Sequence, residues 1–136
     1  MIWFGPAGTS ESFETMGYKT LAQTADYLEK MGLNAYEYQC GRGVRVNDGT
    51  AKKLKSDFAL KSFRMSLHAP YYISLSSVEE EKRTAAVQYI LDSAIAADKL
   101  AADRIIVHSG SCAKITRAKA LELARGSIRG CKEGKA

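Results

Sequence analysis

The chain has 136 residues, 46% of them hydrophobic, which is enough to bury one core of ordinary domain size. Its formal charge of +5 permits a polyanionic partner without requiring one. The three cysteines, Cys40, Cys112 and Cys131, form neither a CxxC motif nor an even-numbered disulfide framework, and no segment reads as a signal peptide or a membrane span. The expectation is therefore a cytoplasmic single unit over residues 1–136 with no membrane partner.

Along the chain, strand and helix signals alternate. MIWFG predicts a short strand, ended by the turn cluster GPAGTS. Leu21, Ala25 and Leu28, with Gly32 as the stop, describe a helix through TLAQTADYLEKMG. LNAYEYQC is aromatic-rich and strand-like, is closed by GRG, and is followed by a helix through GTAKKLKSDFALK. FRMSLH is the third strand. Val87, Ile90, Leu91, Ala94 and Ala101 mark a long helix from about Val78 to Ala102. DRIIVH is the fourth strand, and TRAKALELARGSI the fourth helix, with Leu121, Ala124 and Ile128 on one face.

This (βα)4 rhythm argues for a parallel sheet covered by helices. Neither GxGxxG nor GxxxxGK[ST] is present, which weakens a nucleotide-binding open sheet. A complete (β/α)8 barrel needs about 250 residues, so the fold expected is half of a TIM barrel. A half barrel has two open sheet edges and, on this reading, a lumen-facing apolar surface. Closure then calls for a second copy (a homodimer) or the remaining half of a longer protein.

The only two histidines occupy matching places. SLHAPYYISL and RIIVHSGS each run a short apolar strand into a histidine and then into turn residues. In β/α barrels the C-terminal strand ends carry the active site. Adjacent strands lie about 4.8 Å apart, so His68 and His108 at equal heights would reach one metal ion, zinc being a usual partner of neutral imidazole. A strand-end histidine is also a common hydrogen-bonded structural residue, and two histidines do not close a site. Glu37, the one acidic residue within an expected strand, suits either the lumen or a buried pairing with lysine or arginine, and is not assigned as a ligand. Lys114, Arg117, Lys119, Arg125, Arg129, Lys132 and Lys135 fall on an outer helix and tail, where solvated charge is usual.

LHAPYYISL and IVHSGS, separated by the helix containing RTAAVQYILDSAIAADKLAADR, resemble the third- and fourth-strand motifs of endonuclease IV. This is the zinc-dependent apurinic/apyrimidinic endonuclease family within the xylose-isomerase-like TIM barrels. FGPAGTS and MGLNAYEYQCGRGV are similar to the first two units of one branch. The resemblance covers Met1 to about Arg125, the N-terminal half of the family's barrel. It implies that His68 and His108 hold one zinc of a cluster of up to three, that Tyr71 lines the DNA groove and that Arg42 enters the DNA stack near an abasic site. The activity implied for a complete protein is metal-assisted phosphodiester hydrolysis in DNA repair. Two departures stand out: GPAGTS lacks the histidine of the family's Gly-x-His-x-Ser, and the family's later-strand ligands lie beyond the part matched. The catalytic residues are therefore not named. Two other readings stay open: a sugar isomerase or epimerase of the same superfamily, and a non-catalytic half barrel that binds metal or self-associates.

Overall fold

The computed structural model describes residues 1–132, so Lys135 lies outside it. In chain order it contains α1 (Glu11–Thr15), a 3-10 turn (Leu21–Gln23) running into α2 (Thr24–Met31), β1 (Ala35–Gln39), α3 (Asp48–Lys61), β2 (Arg64–His68), α4 (Glu80–Leu100), β3 (Ile105–Ile106) and α5 (Arg117–Lys132). The strands form one sheet in the order β1-β2-β3, and both pairings are parallel. This is the expected succession of parallel βα units.

Alternation along β1 and β2 decides which side of the sheet is covered. Tyr36 and Tyr38 on β1, and Met65 and Leu67 on β2, are buried among Ala25 and Leu28 of α2, Leu54 and Phe58 of α3, and Ala97 and Leu100 of α4. The opposite face carries Ala35, Glu37 and Gln39 beside Arg64, Ser66 and His68, because the register pairs Ala35 with Arg64, Glu37 with Ser66 and Gln39 with His68. The lumen face of these two strands is thus largely polar. This corrects the expectation of an apolar lumen: the apolar alternate residues are spent on the helical side.

MIWFG, expected as the first of four strands, forms no regular strand, so the sheet has three; the N-terminal segment runs beside β1 through an irregular ladder instead. The Ala35 and Glu37 N–H groups donate to the Phe4 and Pro6 carbonyls, and Gly8 N–H returns to the Glu37 carbonyl, all at 3.0 Å. Pro6 has no N–H to give, and Phe4 N–H turns to the Asn34 side-chain oxygen at 2.7 Å. Regular pairing therefore reduces to a single bridge between Ala7 and Glu37. The approach is close: a Cβ on Gly5 would lie 1.6 Å from the Ala35 carbonyl oxygen, which only glycine allows.

The remaining differences concern helix faces and one strand end. The short α1 grows directly out of the turn cluster, where no helix was expected. The fourth expected strand keeps only Ile105–Ile106 in its ladder, because the chain after β2 turns away at Pro70, whose carbonyl accepts the Ile73 N–H at 3.3 Å. In α4 the buried positions are Ala86, Val87, Ser93, Ala96, Ala97 and Leu100, so of the expected stripe Val87 alone is fully buried. In α5, Ala120 and Ala124 are buried while Leu121 and Ile128 are exposed. Ser127 donates to the Leu75 carbonyl at 2.9 Å, and so short a bridge leaves room only for small neighbours. No helix among the described residues is long and apolar enough to cross a membrane.

Two outcomes follow from this packing. Gly5→Ala should cost about 2 kcal/mol or more in urea unfolding, since the clash is with backbone; a change under about 0.5 kcal/mol would mean that this segment does not lie along β1. Burial among its neighbours pushes the Tyr36 phenol up to about 12. Between pH 10 and that value the unfolded chain gives up this proton and the folded chain keeps it, so stability should fall as pH rises through the window. Phenolate absorbance should show one tyrosine ionising only near pH 12 or together with alkaline unfolding.

Candidate metal and nucleic-acid site

His68 closes β2 and is half-buried. Its Nδ1 lies 2.8 Å from the Ala69 carbonyl oxygen. A carbonyl can only accept, so Nδ1 carries the proton and Nε2 of the neutral ring keeps its lone pair for a ligand. Metal-bound imidazoles are commonly oriented in this way. His108 is exposed and stands two residues past Ile106, the register partner of His68. The two histidines are therefore staggered rather than level, which corrects the expectation of equal heights. The rings nonetheless meet, with centroids 4.9 Å apart and planes at 69°. Two imidazoles on one tetrahedral zinc would have centroids about 5 Å apart, so the pair fits that metal. Simple edge-to-face packing has the same spacing. Among the described residues no group of three or more histidine, cysteine, aspartate or glutamate side chains is placed to hold a metal. The two imidazoles stand together without a third such donor among the described residues.

A clamp between neighbouring loops holds the turn that follows His108. Ser76, in the loop after β2, is buried, and its Oγ donates to the Ser111 carbonyl at 2.7 Å. Gly110 has a φ of 111°, and a Cβ there would come within 2.5 Å of Ser76 Oγ. The α5 hydroxyl of Ser127 holds the same loop through the Leu75 carbonyl. The loops that follow β2 and β3 are thus joined to each other and to α5. SGS after His108 reads as turn residues in the sequence, and nothing there reveals which serine it meets.

Below the histidines lies a polar wall. Glu37 Oε2 accepts from Ser66 Oγ at 3.2 Å, and Oε1 from Gln39 Nε2 at 3.0 Å. Its partners are neutral, so of the two settings weighed for Glu37 the lumen is the one found. A cavity of about 250 Å³ opens on this face, lined by Trp3, Glu37, Arg64, Ser66, Asp103 and Arg104 among others. Arg64 stacks on Trp3 at 4.7 Å and pairs with Asp103 at 3.3 Å, while Arg104 reaches the same carboxylate at 2.8 Å. The Arg104 guanidinium holds the Asp103 carboxyl below its ordinary value, with Arg64 adding to the effect against partial burial.

The rim is aromatic. Tyr71, 67% exposed, meets Tyr72 edge-on at 5.6 Å, and Tyr72 meets Tyr89 of α4 at 5.2 Å. Desolvation and the neighbouring Tyr89 raise the Tyr72 phenol, while Arg45 pulls it the other way. Arg42 is exposed in the turn after β1, next to Gly43, which adopts a φ of 116° facing the Tyr72 hydroxyl. Arg42 and Tyr71 therefore occupy adjacent loops at the C-terminal end of the sheet, the same end as both histidines. Of the four residues singled out from sequence, the structure brings the histidines into contact and leaves Arg42 and Tyr71 on the surrounding rim.

A parallel sheet covered by helices, with its chemistry-bearing residues gathered at the C-terminal strand ends, is the arrangement of β/α barrels. The chain belongs to the xylose isomerase-like TIM barrel family, whose family model matches residues 25–133. An uncharacterised protein of Methanocaldococcus jannaschii is 35% identical over 94 residues, 69% of this chain and 32% of that one. Endonuclease IV from Thermus thermophilus superposes with a TM-score of 0.62 at 18% identity, over 93% of this chain and 45% of its own. D-psicose 3-epimerase from Clostridium cellulolyticum, solved with D-tagatose, gives 0.65 at 16% identity, over 85% and 43%. The chain thus spans about a third of that curated relative and less than half of either structure, and the structural likenesses establish the fold alone.

The clamp is testable without any ligand. Ser76→Ala should cost about 1 kcal/mol and shift or broaden the His108 imidazole resonances, while His68 keeps its Nδ1–H bond to the Ala69 carbonyl. An unchanged His108 signal would mean that the Ser76 bond does not position it.

Proposed function

We propose that this chain carries the two-histidine, N-terminal portion of an endonuclease IV-like, zinc-dependent phosphodiesterase acting at abasic sites in DNA. The observation that carries the reading is the meeting of His68, at the end of β2, and His108, just past β3, at 4.9 Å, with His68 Nε2 left free by the Ala69 carbonyl. When bound, zinc supplies Lewis acidity and a hydroxide source near neutral pH. The two imidazoles would hold the ion at the end of the sheet, and the Ser76–Ser111 clamp holds the turn that follows the second. Exposed Tyr71 offers a face on which a base can stack, and Arg42 offers a guanidinium to a phosphate. Hydrolysis requires further ligands, which a second half barrel or the other half of a longer protein would supply.

A second reading rests on the wall below the histidines. Glu37, Gln39 and Ser66 are hydroxyl-binding groups on the lumen face, which suits a sugar isomerase or epimerase. The two readings separate on ligand: DNA engages the rim, whereas a sugar engages the wall.

Zinc content and binding to a duplex with one tetrahydrofuran abasic site test the reading on the purified chain. His68→Ala and His108→Ala should each abolish stoichiometric zinc. Arg42→Ala or Tyr71→Ala should weaken binding to the abasic duplex about five- to a hundredfold, on the scale of one lost stacking contact, with intact duplex bound less tightly throughout. Zinc retained by both histidine variants, or equal affinity for intact and abasic duplexes, would overturn it.

A further inference from the structure

The lumen wall contains a carboxylate whose charge nothing beside it balances. Glu37 is half-buried on the polar face of β1 and accepts two hydrogen bonds, both from neutral donors, Ser66 and Gln39. Among the described residues no lysine, arginine or histidine stands within ion-pair distance of it. The two guanidiniums that share its cavity are engaged elsewhere: Arg64 and Arg104 both bind Asp103, and Arg64 also stacks on Trp3. In the register Arg64 pairs with Ala35, two residues below Glu37, whereas His68 pairs with Gln39, two residues above. In the register Glu37 therefore stands between the level of Arg64 and the level of His68.

A half-buried charge without a counter-ion costs stability unless something else uses it. A cation above it would. Two residues along a strand are about 7 Å, close enough for a carboxylate to act through a partly desolvated wall on an ion it does not touch. We propose that Glu37 is an electrostatic positioning residue of the histidine site, its unbalanced carboxylate favouring a divalent cation on the His68–His108 pair. The inference rests on the reading that these two histidines together hold a metal. It assigns Glu37 no coordination bond. Gln39, tied to Glu37 through Nε2, is its neutral spacer opposite His68.

The experiment is zinc affinity of the purified chain, by competition with a chromogenic chelator, at low ionic strength and in roughly 0.5 M salt. Far-UV circular dichroism and melting serve as controls for folding. Glu37→Gln should weaken zinc roughly tenfold at low salt, and the difference from wild type should shrink in high salt, where a through-space charge is screened. Glu37→Asp, which keeps the charge and shortens the reach to Ser66 and Gln39, should recover most of the affinity. Gln39→Ala, which keeps the charge and removes one hydrogen bond, should stay within about threefold of wild type. If His68→Ala and His108→Ala lose zinc while Glu37→Gln binds it as wild type does, the inference is overturned and the histidine site stands. An equal loss in Glu37→Gln and Glu37→Asp at both salt concentrations would assign Glu37 a hydrogen-bonding role and overturn the electrostatic one. Zinc binding that ignores both histidines, or none at all, would overturn the metal reading and this inference with it.

Discussion

The register of the parallel pair β1 and β2 is the constraint on which the rest of the site depends. Strand side chains alternate, so one register sends Tyr36, Tyr38, Met65 and Leu67 under the helices and leaves Glu37, Gln39, Ser66 and His68 on the open face. A slip of one residue in either strand would put a carboxylate or an imidazole beneath the helices and set large apolar groups against water. Core packing thereby fixes the height at which His68 ends its strand, and with it the level of its imidazole on the open face. The site is a by-product of burying the other face.

The second histidine arrives by a different route. β3 contributes two residues to the sheet, and His108 lies past its ladder, so strand pairing alone does not place the ring. Contacts between loops supply the rest. Ser76 bonds the Ser111 carbonyl, Gly110 fits where a side chain would collide, and Ser127 of α5 holds the adjoining Leu75. One imidazole rests on secondary structure and the other on a hydrogen-bonded turn. The small residues that line the inner faces of α4 and α5, Ala86, Ser93, Ala97, Ala120 and Ala124, let both helices come close enough for that turn to be anchored.

Most of the architecture was legible in the sequence because its signals are local. The order of elements from α2 onward, the strand ends at His68 and near His108, and the stops at Gly32 and Gly41–Gly43 follow from periodicity and turn chemistry. What was not legible depends on contacts between distant segments. The lumen proved polar because LNAYEYQC and FRMSLH have apolar residues enough for one face only, and the sequence does not reveal which face the helices take. Leu121 and Ile128 read as core at helical spacing, yet α5 packs through its alanines. The stagger of the histidines, the Ser76 clamp and the neutral partners of Glu37 each join residues far apart in the chain, and no short motif encodes them. His68 and His108 stood out because they are two of a kind in matching settings; Arg42 and Tyr71 came from family likeness, and the structure sets them at the same end of the sheet.

The central claim is that two imidazoles present nitrogens to one point. A long-range proton–nitrogen correlation spectrum of the imidazole rings, recorded before and after one equivalent of zinc, tests this most directly. His68 should start as the Nδ1–H tautomer, its Nε2 should shift on zinc addition, and one ring nitrogen of His108 should shift at the same stoichiometry. A His68 ring protonated on Nε2, or a zinc response confined to one histidine, would contradict the claim.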